Sequence, residues 1–211
     1  AIPSRYLLEN RDWKEAASLK VYPEKFPWKN FQWQEAIIHF TRLMGAVHID
    51  HIDSAKVELT ALNGIYDGLL KEKDAYKANQ VLIQIKTSEA WIALKEGKTA
   101  EALASMNLAA DMEDKTEKHP VTPCEVIPAR ELLGDMLLQL NKPGKALDAY
   151  ETDLKGHPRR LNGLYGAGLA AQRSGDKEKA QLYYSQFMST VDTVHSDRPE
   201  IIAVRKVLGG K

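Results

Sequence analysis

The sequence predicts an all-α chain built of helix pairs, and three observations carry this. Apolar residues recur at three- and four-residue spacing along most of the 211 residues, while strict alternation, the mark of a half-buried strand, is scarce. Good helix formers (Ala, Leu, Glu, Lys and Gln) dominate the long segments, and Gly, Pro and Asn fall at the breaks between them. The last part of the chain also repeats itself in strict register, residue types near Gly134 returning near Gly168.

Taken in order, residues 2–10 and 12–19 form a short first pair with Arg11 at its turn. A loop rich in aromatics and prolines covers 22–28. Residues 33–47 and 53–70 form the second pair, and 76–96 and 99–112 the third, with Gly97 at its turn. A polar insert then spans 113–124. Pro120 and Pro123, with Pro128 beyond, stiffen it, because the residue before a proline is pushed toward extended backbone. A long ordered connector of this kind is a candidate functional loop, residues 118–123 above all. The fourth pair is 127–140 with 143–154, and the fifth is 161–174 with 177–191. Residues 199–208 make a closing helix, with Pro199 in the first turn, where a missing N–H costs nothing. The tail 209–211 is expected to fray. The whole, 1–211, is expected to be a single domain whose strongest repeats are 127–158 and 161–191.

The repeat is specific in its residue types. Gly134, Ala146 and Tyr150 return in the same order and at the same spacing as Gly168, Ala180 and Tyr184, and Asn141 returns as Gly175 at the turn between paired helices. Small residues let the two helices of a pair approach, the aromatic fills the gap against the next pair, and Pro158 ends the second helix. Upstream the signal degrades. The matching alanines Ala16, Ala55, Ala102, Ala146 and Ala180 are unevenly spaced, and only the last interval, Ala146 to Ala180, equals the step from Gly134 to Gly168.

Gly134, Ala146, Tyr150 and Pro158 at this spacing resemble the tetratricopeptide repeat, a helix–turn–helix unit. The resemblance implies a right-handed α–α superhelix of about five helix pairs plus a C-terminal helix, with the first helix of each pair lining a concave face that receives a peptide or protein. The groove residues it assigns are Trp91 and Lys95 in the third pair, Glu131, Asp135 and Gln139 in the fourth, and Asn162, Tyr165, Gln172 and Arg173 in the fifth. Gln84, Thr87, Leu94, Pro128, Leu138 and Leu169 complete that register. Glu131 and Asp135 stand where chaperone-tail-binding members need Lys and Asn, which argues against carboxylate clamping. A narrower resemblance covers nearly the whole chain. Residues 117–123, 128–135 and 164–167, with 2–6 and 11–16, are similar to the C-terminal part of larger bacterial tetratricopeptide proteins of unknown function. It implies a piece of a longer array and brings no activity; Cys124 stands where that group has glycine. The implied function is a non-enzymatic binding scaffold. The alternative is a helical accessory or self-association domain whose active or metal-binding part lies N-terminal to this segment.

Composition narrows the partners. Lys plus Arg and Asp plus Glu are both 29, giving zero formal net charge and a pI near 7.2. That balance argues against a broad nucleic-acid or anionic-lipid footprint and favours recognition of a protein or peptide by groove shape. One cysteine excludes an internal disulfide framework and multi-cysteine metal sites. No apolar run approaches the roughly 20 residues of a membrane helix, and no signal segment opens the chain. Membrane insertion is not expected, and the compartment is left open between cytoplasm and periplasm. The solenoid ends offer surfaces for self-association.

No cofactor or catalytic residue is expected. His48, Asp50, His51 and Asp53 form the most metal-like cluster, but they fall at a turn, where Asp50 or Asp53 suits an N-cap. His39, His119, His157 and His195 are scattered. Cys124 has no local partner for nucleophilic chemistry. Asp111, Glu113 and Asp114, at the end of a helix and near Glu117, read as a solvated acidic stretch running into a loop, and His157, Arg159 and Arg160 as a basic linker. Gly163, Gly166 and Gly168 lack the preceding strand of a dinucleotide site and read as close helix packing.

Overall fold

The computed structural model describes residues 1–117, 125–191 and 198–209. Among the described residues the chain is all-helical, with eleven α-helices, one 3₁₀ turn and no strand. In chain order these are α1 (Ile2–Glu9), α2 (Trp13–Ala17), the 3₁₀ turn (Trp28–Asn30), α3 (Gln32–His48), α4 (Ile52–Lys71), α5 (Ala75–Lys95), α6 (Thr99–Asp114), α7 (Ala129–Gln139), α8 (Pro143–Gly156), α9 (Leu161–Ser174), α10 (Lys177–Val191) and α11 (Pro199–Val207). They fall in two compact units, Ala1–Ala129 and Arg130–Lys211.

The helices start and stop for local reasons. The six turns that follow α1, α3, α4, α5, α7 and α9 share one construction. Arg11, Asp50, Lys73, Gly97, Asn141 and Gly175 each take a positive φ, between 54° and 85°. In every case the N–H of that residue bonds the carbonyl three back, and the next N–H bonds the carbonyl five earlier than itself, as in Asn141 to Leu138 (3.2 Å) and Lys142 to Leu137 (2.9 Å). This is the Schellman closure, which satisfies helix-end carbonyls that would otherwise face nothing. The residue after the left-handed one then begins the next helix. Where it is aspartate, its side chain takes a free N–H of the new first turn: Asp12 from Glu15, Asp74 from Lys77 and Asp176 from Lys179. Pro3, Pro143 and Pro199 each sit in a first turn.

In the first unit α3 is central, packing against α2, α4 and α5. Eleven of its 17 residues are buried, among them Phe40, Leu43, Met44 and Val47. Leu62 and Leu69 of α4, Val81, Ile85 and Trp91 of α5, and Met106 of α6 complete the core. Each such aliphatic side chain contributes about 1.5–3 kcal/mol on burial.

The second unit is closed by smaller contacts. A Cβ placed on Gly134 of α7 would lie 2.6 Å from the Tyr150 ring of α8. A Cβ on Gly168 of α9 would lie 2.5 Å from the Tyr184 ring of α10. The sequence register therefore corresponds to one physical device used twice, a glycine lying under a tyrosine. Tyr150 also presses on Gly166, so the same ring touches both its own pair and the next. Ala146 and Ala180 are buried, as the spacing requires. Ile201 and Val204 of α11 are buried as well.

Most predicted bounds agree with the structure to within one or two residues. The helices at 161–174 and 177–191 match at both ends. The acidic stretch differs in part: Asp111 lies within the predicted helix, but Glu113 and Asp114, expected beyond its end, also belong to the last turn of α6. Glu113 has a local task there, its Oε1 accepting the Ala129 N–H at 2.7 Å. The insert at 118–123, together with Cys124, His119 and His195, lies outside the described residues.

Candidate binding surfaces

The residues assigned to a groove by register divide into three kinds. Trp91 is fully buried, and Glu131 and Asn162 are nearly so. Asp135 and Tyr165 are half-buried. Lys95, Gln139, Gln172 and Arg173 are exposed.

The buried ones hold the fold together. Trp91 packs on His48 with ring centroids 4.6 Å apart, and Trp13 stacks on the same imidazole at 3.9 Å and 13°. A histidine on α3 thus joins α2 to α5. His48 Nδ1 lies 2.7 Å from the Met44 carbonyl. Its neighbour Asp50 takes the left-handed turn position and accepts Lys95 Nζ at 2.7 Å. The Lys95 hydrogen bond and charge hold the Asp50 carboxyl below its usual range. His51, not an aspartate, is the N-cap of α4, and Asp53 falls in the first turn. The His48–Asp53 stretch therefore runs from the end of α3 through the turn at 49–51 into the start of α4, and among the described residues no group of three or more His, Cys, Asp or Glu side chains could hold a metal ion.

Glu131 sits on α7 and receives two hydrogen bonds from Arg160, Nε to Oε2 at 2.8 Å and Nη2 to Oε1 at 3.0 Å. The fork-on-carboxylate geometry is the strong form of such a pair. Burial nevertheless dominates and pushes the Glu131 carboxyl up to about 7, with Arg160 pulling the other way. Gly163 lies against this carboxylate, since a Cβ there would fall 3.3 Å from Oε2. His157 Nδ1 lies 2.8 Å from Oδ1 of the buried Asp153. Two of the three basic residues in the expected linker 157–160 thus turn inward onto buried carboxylates, and that reading of a solvated basic spot is corrected. Arg159 alone stays exposed, with φ 68°. Asn162 accepts a hydrogen bond from Arg198 Nη2 at 3.0 Å.

Of the accessible ones, Lys95 lies on α5 of the first unit, while Asp135 and Gln139 lie on α7 and Tyr165, Gln172 and Arg173 on α9, the first helices of the two pairs in the second unit. Each locking tyrosine sends its hydroxyl to that side. Tyr150 donates to Asp135 at 2.6 Å, and Tyr184 donates to Gln172 at 2.8 Å. Burial raises the Tyr184 hydroxyl to about 12, so it stays a donor across the ordinary pH range. Tyr165 packs on Phe187 and Tyr184 with centroids 5.9 and 6.4 Å apart, leaving part of the ring open. Gln139 and Arg173 add uncommitted polar reach at the helix ends.

The structure also has recesses that the register did not indicate. One of about 390 Å³ is lined by Leu154, Arg159, Tyr183 and Gln186, on the second helices α8 and α10 and their flank. Tyr183 donates to Glu151 Oε1 at 2.8 Å beside it, and burial raises that phenol above its usual range. Another, of about 380 Å³, lies between α3 and α4. No sequence signal marks either, because each is made by residues from separate helices with no common spacing.

No known protein-family model matches the chain, and no curated protein does. No described helix is long and apolar enough to cross a membrane.

Proposed function

We propose that this chain is a protein-interaction scaffold of the tetratricopeptide type, binding an extended peptide or protein segment along the first helices of its last two pairs. The observation that supports this most is the duplicated lock. Gly134 lies under Tyr150 and Gly168 under Tyr184, in one sequence register, with Asn141 and Gly175 in the same left-handed turn. Repeating units of this kind cannot bury their apolar faces singly, so they stack, and stacking leaves an extended face free for a ligand. Asp135, Gln139, Tyr165, Gln172 and Arg173 form that face here; Glu131 and Asn162 hold its base, while Trp91 packs the first unit. The mix of one open aromatic with acidic, amide and guanidinium groups suits side-chain-specific recognition without bulk charge.

Affinity capture with the intact chain tests this, run beside a Tyr165→Ala/Arg173→Glu variant and a Lys155→Glu/Thr152→Ala variant on α8. The reading stands if a partner held by the intact chain is lost with the first variant and kept with the second. It fails if both variants keep every partner.

A further inference from the structure

The geometry points to a binding site for a small organic acid, a carboxylate on an apolar body, in the recess formed by α8, α10 and the 157–160 linker, with Arg159 as its anchor. The neighbours of Arg159 are committed inward. His157 Nδ1 lies 2.8 Å from the buried Asp153, and Arg160 forks onto Glu131. Arg159 stays exposed, and among the described residues its guanidinium has no hydrogen bond or ion pair. Its backbone holds a left-handed φ of 68°. Helix closure does not account for that angle, because the next N–H, of Arg160, bonds the His157 carbonyl at 3.3 Å and completes no Schellman pair. Glycine would hold this φ at lower cost, and backbone strain of this kind gathers where a side chain has a task.

The recess holds about 390 Å³. Leu154, Pro158 and Leu164 give it an apolar wall, and Arg159 and the Gln186 amide supply its donors. The remaining polar groups present oxygen. Tyr183 gives its proton to Glu151 Oε1 at 2.8 Å, and Ser189 and Thr190 give theirs to the Gln186 carbonyl at 2.8 and 3.0 Å. With those protons spent, the three hydroxyls only accept. This donor set selects the anion. A phosphate brings three strong acceptor oxygens and close to a second charge, which one guanidinium and one amide do not satisfy beside three acceptors. A carboxylate has two oxygens that match the guanidinium fork. The apolar wall then takes the body of the ligand. Glu151 does not compete for Arg159, because Lys179 Nζ already lies 2.7 Å from its Oε1. The site uses none of Tyr165, Gln172 and Arg173, so it does not rest on the peptide-binding reading.

Hydrocinnamate, a carboxylate on a phenylethyl body, titrated into the intact chain tests the assignment, with the Leu154 and Leu164 methyl resonances as the readout. Saturable shifts of both residues are expected at millimolar concentration, the range for a ligand of this size. Hydrocinnamamide, the uncharged isostere, and propionate, which stands for an acidic peptide side chain without the ring, are each expected to bind at least about 10-fold more weakly. Inorganic phosphate is expected to leave both methyl sets unmoved. Arg159→Gly removes the guanidinium and suits the left-handed backbone. Its thermal midpoint is therefore expected to hold or rise, while hydrocinnamate binding falls about 10- to 100-fold. Tyr165→Ala/Arg173→Glu is expected to bind hydrocinnamate as the unmodified chain does. The proposal is overturned if the amide, propionate or phosphate binds as tightly as hydrocinnamate, or if Arg159→Gly keeps the affinity. It is equally overturned if no shift saturates by about 50 mM.

Discussion

The two units bring helices into close contact by different chemistry. In the second, a glycine lies under a tyrosine ring, and the arrangement appears twice in register. In the first, Gly45 of α3 lies directly against backbone. A Cβ there would run into Ala17 and stand 2.6 Å from the Trp13 carbonyl oxygen. Beside it, His48 fills the space between Trp13 and Trp91. A ring can tilt when crowded, but a backbone cannot. The regular joint is therefore the forgiving one, and the irregular joint is the stricter.

That contrast sets the largest expected effect. Gly45→Ala should cost about 3 kcal/mol, the upper part of the usual overpacking range, and Gly168→Ala about 1–2 kcal/mol. Paired thermal or urea melts of the two variants decide it, and equal losses would erase the distinction between the joints.

A second effect belongs to the second unit alone. Burial raises the Glu131 carboxyl from an ordinary 4.5 to about 7, so the folded state holds its proton more tightly than the unfolded one. Stability from this group is fully present below about 4.5 and is lost as pH rises to about 7, levelling off above. Across that window the unmodified protein should lose at most about 3 kcal/mol relative to Glu131→Gln. Urea midpoints of both proteins at several pH values give the difference curve; a curve that is flat, or that rises with pH, refutes it.

A smaller effect tests the hydroxyls of the two locking tyrosines. Tyr184→Phe removes the bond to Gln172 while keeping the ring over Gly168, and should cost about 1 kcal/mol in a denaturant titration. If Tyr150→Phe costs more, the charge on Asp135 is the cause, since bonds to ionised acceptors are the stronger.

The smallest effect is a gain. Lys73 holds a left-handed φ of 59° at the α4–α5 turn without being glycine. Lys73→Gly should stabilise the first unit by about 0.5 kcal/mol, and Gly175→Ala, its converse in the second unit, should lose about as much or more.

Much of this architecture is legible in the residues. Spacing alone places α9 and α10 at 161–174 and 177–191, and it singles out Gly134, Tyr150, Gly168 and Tyr184, the residues that lock the pairs. Those residues report on neighbours fixed by the repeat itself. Depth is not legible. Glu131 and Asn162 have the polar character of groove residues, yet they are buried, because Arg160, 29 positions from Glu131, and Arg198, 36 from Asn162, reach them across folded space. Trp91 is equally suited to a groove or a core, and His48, two helices back on α3, decides its surroundings.

The Tyr150 ring rests on Gly134 of its own pair and on Gly166 of the next, and Glu131 takes both of its hydrogen bonds from Arg160, just ahead of α9. Pulling α9 and α10 away would uncover that ring and strand that carboxylate in the same movement. Drawn from its C-terminal end in an optical trap, the second unit should therefore resist and then yield both pairs in a single rip, not pair by pair.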